Sequence, residues 1–123
     1  MPVRVLLADD SVSIRKLVEF TLKSKGFLVS SVEDGLAAFE LLAKDPFDVI
    51  VLDINMPHMD GFELLKRIKA DEAYASIPVI MLTTESQDED RLKAADLGAT
   101  AYLVKPFKPT QLLVLVERMT SKG

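Results

Sequence analysis

Five short apolar runs, rich in β-branched residues, recur along this chain with longer stretches between them. They are Val3–Ala8, Leu28–Val32, Val49–Leu52, Val79–Leu82 and Tyr102–Val104. The intervening stretches space their apolar residues at helical period instead. A chain written this way folds as alternating strands and helices, and strands joined by helices lie parallel in one sheet. Three of the runs are almost uninterrupted apolar sequence, as strands covered by helices on both faces require. Leu28–Val32 carries Ser30 and Ser31 and reads as an edge strand. Such units wind right-handed, with helices on both faces of the sheet.

Five helices fill the spaces. The first is expected from about Val12 to Ser24, with Ile14, Leu17, Val18, Thr21 and Leu22 on one face, and Gly26 can close it. The second starts near the cap Asp34 and carries Leu36, Phe39, Leu42 and Ala43. The third follows Asp60, which forms a capping-box pattern with Glu63, and runs through Leu64, Leu65 and Ile68. The fourth follows Ser86, with Glu89 in capping-box position, and ends at Gly98. The fifth begins at Pro109, a favourable first helical residue, and reaches about Met119. Its Leu112-Leu-Val-Leu-Val116 stretch is apolar on all sides, more than one buried face needs, and reads as a partner or dimer surface ahead of a helix packed tightly on the sheet with an apolar outer side.

The 123 residues suffice for one domain, taken as 1–123, and 49% hydrophobic content fills a single core. A net charge of −4 with dispersed Lys and Arg supplies no basic face, so direct nucleic-acid binding is not expected. The absence of cysteine excludes disulfides and thiolate metal sites. The opening Met1–Asp10 stretch is not a signal peptide, since its apolar run is short and ends in two acids. No apolar run approaches the ~20 residues of a membrane helix. Membrane insertion is not expected, and the cytoplasm is the expected location.

Parallel sheets of this kind place their sites outside the carboxyl ends of the strands. The residues there are Asp9 and Asp10, Asp53, Thr83 and Thr84, and Lys105 with Pro106. Three converging carboxylates repel one another and call for a counter-charge. With no Cys, and with the one His, His58, in a loop, the donors are all oxygen, which suits a hard cation such as Mg²⁺. A cation, an ammonium from Lys105 and a hydroxyl from Thr83 around one carboxylate are suited to neutralise a phosphoryl group in transfer. The carboxylate they surround would be the nucleophile.

Four motifs occur in order at these strand ends: Asp9-Asp10-Ser11, Asp53-Ile-Asn-Met-Pro57 followed by Asp60-Gly61, Thr83-Thr-Glu85, and Tyr102-Leu-Val-Lys-Pro-Phe107. Together they resemble the response regulator receiver domain, closest in character to single-domain chemotaxis-type regulators, and the resemblance covers the whole chain. It implies a doubly wound α/β fold of flavodoxin-like type, with five parallel strands in the order 2-1-3-4-5. It implies that Asp53 takes a phosphoryl group from a sensor histidine kinase or phosphotransfer protein. Asp10, Asp53 and the backbone carbonyl of Asn55 would hold Mg²⁺, with Asp9 helping through water. Lys105 and Thr83 would contact the phosphoryl group, Tyr102 would be the aromatic switch, and the Lys105–Pro106 bond would be cis. Asn55 and Glu85 occupy positions that tune phosphoryl lifetime. The implied output face is the fourth helix, fifth strand and fifth helix, and it could also carry a homodimer. The chain would catalyse only its own phosphorylation and dephosphorylation, as a signalling module and not a metabolic enzyme.

Plainer roles compete. Asp9 could be merely solvated, Asp10 a helix cap, Thr84 the donor in place of Thr83, and Tyr102 part of the core. A flavodoxin-type electron carrier would need a Ser/Thr/Gly-rich loop after the first strand, where Asp9-Asp10 would repel a phosphate. An aspartate-nucleophile phosphatase of the haloacid dehalogenase type would need a second Asp two residues after the first, where Ser11 stands. The remaining alternatives are the receiver portion of a longer regulator with a DNA-binding or enzymatic output domain, and a phosphate-independent interaction module.

Overall fold

The computed structural model describes residues 2–84 and 88–120. The elements follow in strict alternation: β1 (Arg4–Ala8), α1 (Val12–Lys23), β2 (Leu28–Val32), α2 (Gly35–Leu42), β3 (Val49–Asp53), α3 (Gly61–Ala70), β4 (Val79–Thr83), α4 (Asp88–Asp96), β5 (Ala101–Val104) and α5 (Pro109–Thr120). All neighbouring strands pair in parallel, in the order β2-β1-β3-β4-β5. The Leu28–Val32 run is an edge strand, as its polar content indicates.

Alternate residues of the central strands feed two cores. Leu6, Ala8, Ile50, Leu52, Val79 and Met81 face α2, α3 and α4, where Ala38, Leu42, Leu64, Leu65, Ile68 and Ala94 complete one cluster. Val5, Leu7, Val49, Val51, Ile80 and Leu82 face the other way and meet Val18 and Leu22 of α1 and Leu112 and Val116 of α5. Period-two alternation with both sets apolar is why these runs lack polar residues. Among the described residues, no helix is long and apolar enough to cross a membrane.

Several element details differ from the sequence expectation. β3 and β4 extend one residue further, so Asp53 and Thr83 are the last residues of strands and not the first of loops. The ladder holds them there: Asp53 pairs with Leu82 and Thr83 with Val104. β1 begins at Arg4, one residue late, and β5 at Ala101, one early. In α2 the buried side is Gly35, Ala38 and Leu42, whereas Leu36 is 47% exposed and Ala43 is the C-cap. Gly35 lies so close to the Met59 backbone that a Cβ would sit 2.2 Å from the Met59 carbonyl oxygen. On α1, Leu17 is displaced from the core and 38% exposed, while Val18 and Leu22 are buried. α4 ends at Asp96, and Gly98 follows in the left-handed region at φ 98°. Ser86, the expected cap of this helix, lies outside the described residues.

One close approach positions the site directly. Gly61 opens α3 under the end of β3, and its N–H donates to the Ile54 carbonyl at 2.8 Å. A Cβ on Gly61 would lie 2.4 Å from the Asp53 carbonyl oxygen and 2.8 Å from the Ile54 Cα. Only glycine allows backbone to approach this closely. The loop between adopts a left-handed turn at His58, with φ 68°.

Candidate functional site

The carboxyl edge of the sheet gathers the expected residues. Asp9 leaves β1, Asp53 ends the neighbouring β3, Thr83 ends β4, and Lys105 follows β5. Asp9, Asp53 and Thr83 are all buried, whereas Asp10, Asn55 and Thr84 are exposed. The carboxylate oxygens of Asp9, Asp10 and Asp53 come within 4.8 Å of one another.

One ammonium reaches into this group. Lys105 Nζ donates to Asp9 Oδ2 at 2.7 Å and lies 3.4 Å from Asp53 Oδ1. Its backbone N–H donates to the Thr83 carbonyl at 2.6 Å, which continues the strand pairing past Val104. The Lys105–Pro106 peptide is cis. Phe107 packs against the core on the α1/α5 side and anchors the segment that carries Lys105.

One ammonium does not balance three carboxylates. Burial, and then repulsion from Asp9, raises the Asp53 pKa from 3.8 to about 6. The Lys105 charge and the Asn55 backbone N–H oppose that rise without cancelling it, and Asp10 adds to it. A partly buried, all-oxygen, electron-rich cluster short of positive charge fits a hard divalent cation. The carboxylates of Asp9, Asp10 and Asp53 are the oxygen donors such a cation would meet.

The β1–α1 turn is pinned from every side. The Asp9 N–H donates to the Val32 carbonyl at 3.1 Å, and Asp9 Oδ1 accepts from the Ser11 N–H at 2.8 Å. Ser11 caps α1 by accepting from the Ile14 N–H, so the capping role considered for Asp10 falls to its neighbour and the Asp10 carboxylate stays available. The Asp9 carbonyl accepts from Arg15 Nη1 at 2.7 Å. Arg15 is the contact that sequence reading overlooks. An arginine one turn into a helix reads as a surface cation, and no spacing rule shows that it folds back six residues.

Tyr102 is half-buried against the core on the α3/α4 side, with the Arg91 guanidinium 5.4 Å from its ring centroid. It also borders a shallow groove with Leu103, Thr110, Gln111, Val114 and Leu115. α4 buries only Ala94 and is flanked by a second cation–π contact, Lys93 Nζ at 4.5 Å from the Phe62 ring centroid. His58 is a solvated loop residue outside the cluster. Glu85 lies outside the described residues.

Known proteins resemble this chain in sequence and fold. A family model for the response regulator receiver domain matches residues 5–117. Chemotaxis protein CheY-3 of Vibrio cholerae is 41% identical over 110 residues, covering 89% of this chain and 85% of its own. The solved structure of chemotaxis response regulator CheY4 of Vibrio cholerae superposes with a TM-score of 0.91 at 42% identity, over 97% of this chain and 99% of that one. The receiver domain of the sensor histidine kinase PA1611 of Pseudomonas aeruginosa PAO1 superposes with a TM-score of 0.89 at 30% identity, over 98% and 100% of the two chains. That structure has a magnesium ion coordinated in its active-site cleft.

Proposed function

This chain belongs to the response regulator receiver domain family, and from that premise we propose that it is a phosphorylation-controlled binding switch whose phosphoacceptor is Asp53. The observation that carries the reading is the position of the Asp53 carboxylate, buried between two further carboxylates with Lys105 Nζ 3.4 Å away.

In the proposed reaction, an Asp53 oxygen attacks the phosphorus of a phosphohistidine on a sensor histidine kinase or phosphotransfer protein. An oxygen–phosphorus bond forms, the nitrogen–phosphorus bond breaks, and the imidazole departs with the electron pair. Mg²⁺, when bound, supplies charge neutralisation between the carboxylates and the phosphoryl oxygens. Asp10, Asp53 and the Asn55 carbonyl would hold it, with help from Asp9. Lys105, shared between Asp9 and Asp53 at rest, turns to a phosphoryl oxygen, and the Thr83 hydroxyl donates to another. Tyr102 then moves inward, and the α4–β5–α5 face changes shape for a protein target. The exposed Leu92 and Val114 support that face as a contact surface. A second copy of the chain is the other occupant this surface would take. Asn55 and Glu85 set how long the acyl phosphate lasts. Asn55→Leu and Glu85→Ala are expected to slow its hydrolysis.

The test is intact mass after treatment with acetyl phosphate and Mg²⁺, for wild type and Asp53→Asn. The expected result is a single phosphoryl gain that needs Mg²⁺ and is absent in the variant. A folded wild type that gains nothing would overturn the reading in favour of a phosphate-independent interaction module.

A further inference from the structure

We propose that Arg15 is a positioning residue for cation binding. It fixes the β1–α1 turn so that the Asp10 carboxylate faces the other two acids. The proposal rests on the reading of Asp9, Asp10 and Asp53 as the cation site.

Asp10 is the exposed member of the cluster. The direction of its side chain is set by its own backbone, and that backbone begins with the peptide shared with the Asp9 carbonyl. The rest of Asp9 is held independently of α1's side chains, by Val32, Lys105 and the Ser11 N–H. The carbonyl is different. It lies outside the helix, because the first helical acceptor is the Ser11 carbonyl, which receives the Arg15 N–H at 3.0 Å. Its protein donor is the Arg15 guanidinium at 2.7 Å, in a half-buried setting. Arg15 therefore bonds the turn twice, through its backbone to Ser11 and through its side chain to Asp9. With both ends of the turn fixed to the first turn of α1, the Asp9–Asp10 peptide plane cannot rotate freely.

Two effects of Arg15 on a bound cation have opposite signs, and this makes the role measurable. A guanidinium near the site repels a divalent cation, so charge alone would weaken binding. Orienting a ligand-bearing peptide strengthens binding, and outer-shell partners of metal ligands are typically worth 10- to 100-fold in affinity.

The experiment is a Mg²⁺ titration of the full chain, followed by amide chemical shifts, for wild type, Arg15→Gln and Arg15→Lys. Melting temperatures in EDTA are recorded alongside. Arg15→Gln removes the charge and leaves an amide too short for the reach to Asp9. It is expected to bind Mg²⁺ about tenfold more weakly, and Arg15→Lys is expected to fall between it and wild type. Phosphorylation by acetyl phosphate should slow at low Mg²⁺ and recover toward the wild-type rate at saturation, a split that mere loss of stability does not produce. Tighter binding in Arg15→Gln would mean that the residue acts by charge alone and would overturn the proposal, as would unchanged affinity. If Arg15→Gln fails to fold, Arg15→Lys decides: weaker binding than wild type supports the proposal, and equal or tighter binding overturns it. A wild type that binds Mg²⁺ in an Arg15-dependent way but takes up no phosphoryl group would keep the positioning role and remove the phosphoacceptor. A phosphorylated wild type whose Mg²⁺ affinity ignores Arg15 would do the reverse.

Discussion

Asp53 is held in a form that opposes folding. Its pKa in the folded chain, about 6, exceeds the ordinary 3.8 because of burial and Asp9. An acid whose folded pKa is raised binds its proton more tightly when folded. Its stabilising contribution is therefore complete below pH 3.8 and lost as pH rises through 6. Two pKa units correspond to roughly 3 kcal/mol. In EDTA, Asp53→Asn is expected to exceed wild type in stability by roughly 2–3 kcal/mol above about pH 7. The gap should close toward about pH 4, and urea midpoints across that range check it. Identical pH slopes for the two proteins would contradict the argument. Excess Mg²⁺ should stabilise wild type selectively and erase the gap, since a ligand that binds only the folded state adds to its stability. Asp9, Asp53, Thr83 and Lys105 were legible as a group because each ends or follows an apolar strand, at the edge where parallel sheets gather their sites. Arg15 was not, because its contact with Asp9 depends on a side chain folding back across the helix start, which no residue spacing records.

At the scale of elements, the helices are anchored very unequally. α3 buries Gly61, Leu64, Leu65 and Ile68, whereas α4 buries Ala94 alone and leaves Leu92 64% exposed. Amides of α4 are expected to exchange with solvent well before those of α3, since opening α4 uncovers little apolar surface. Hydrogen exchange followed by mass spectrometry reads this, and equal protection would contradict it. Gly61→Ala should destabilise by about 1–3 kcal/mol, because its methyl meets the backbone of Asp53 and Ile54, not a side chain that can yield. In α5, Leu112→Ala should cost about 2–4 kcal/mol and Val114→Ser under about 0.5 kcal/mol in urea unfolding. The first side chain is 2% exposed and the second 43%. The helices were legible from apolar period and caps, and the cap predicted at Asp60 receives the Glu63 N–H at 2.9 Å. The inward face of α2 was legible in part: Leu42 is buried and Phe39 packs against the core, whereas the close backbone approach at Gly35 leaves no trace in hydrophobic period.

For the whole molecule, the shared strands make the two cores one cooperative unit. Ile50 and Val51 are neighbours in β3 yet belong to opposite clusters. Neither face can melt without stripping the strands that serve the other. Urea unfolding followed by far-ultraviolet dichroism and by tyrosine fluorescence should therefore give coincident single transitions. Separated midpoints would show that the faces unfold apart. The alternation of strands and helices announced the fold class, but it carries no information on which strands are neighbours. Their order came from the family resemblance.

The glycine contacts have a mechanical consequence. Along one half of the rim, Gly35 and Gly61 seat two helix starts on backbone with no clearance for a methyl group. Along the other half, a thinly anchored helix lays its own cations against the rings of Tyr102 and Phe62. Added charge at the centre of that rim meets a stiff abutment on one side and a compliant one on the other. Displacement follows compliance, so the direction in which this molecule can yield is built in before any such charge arrives.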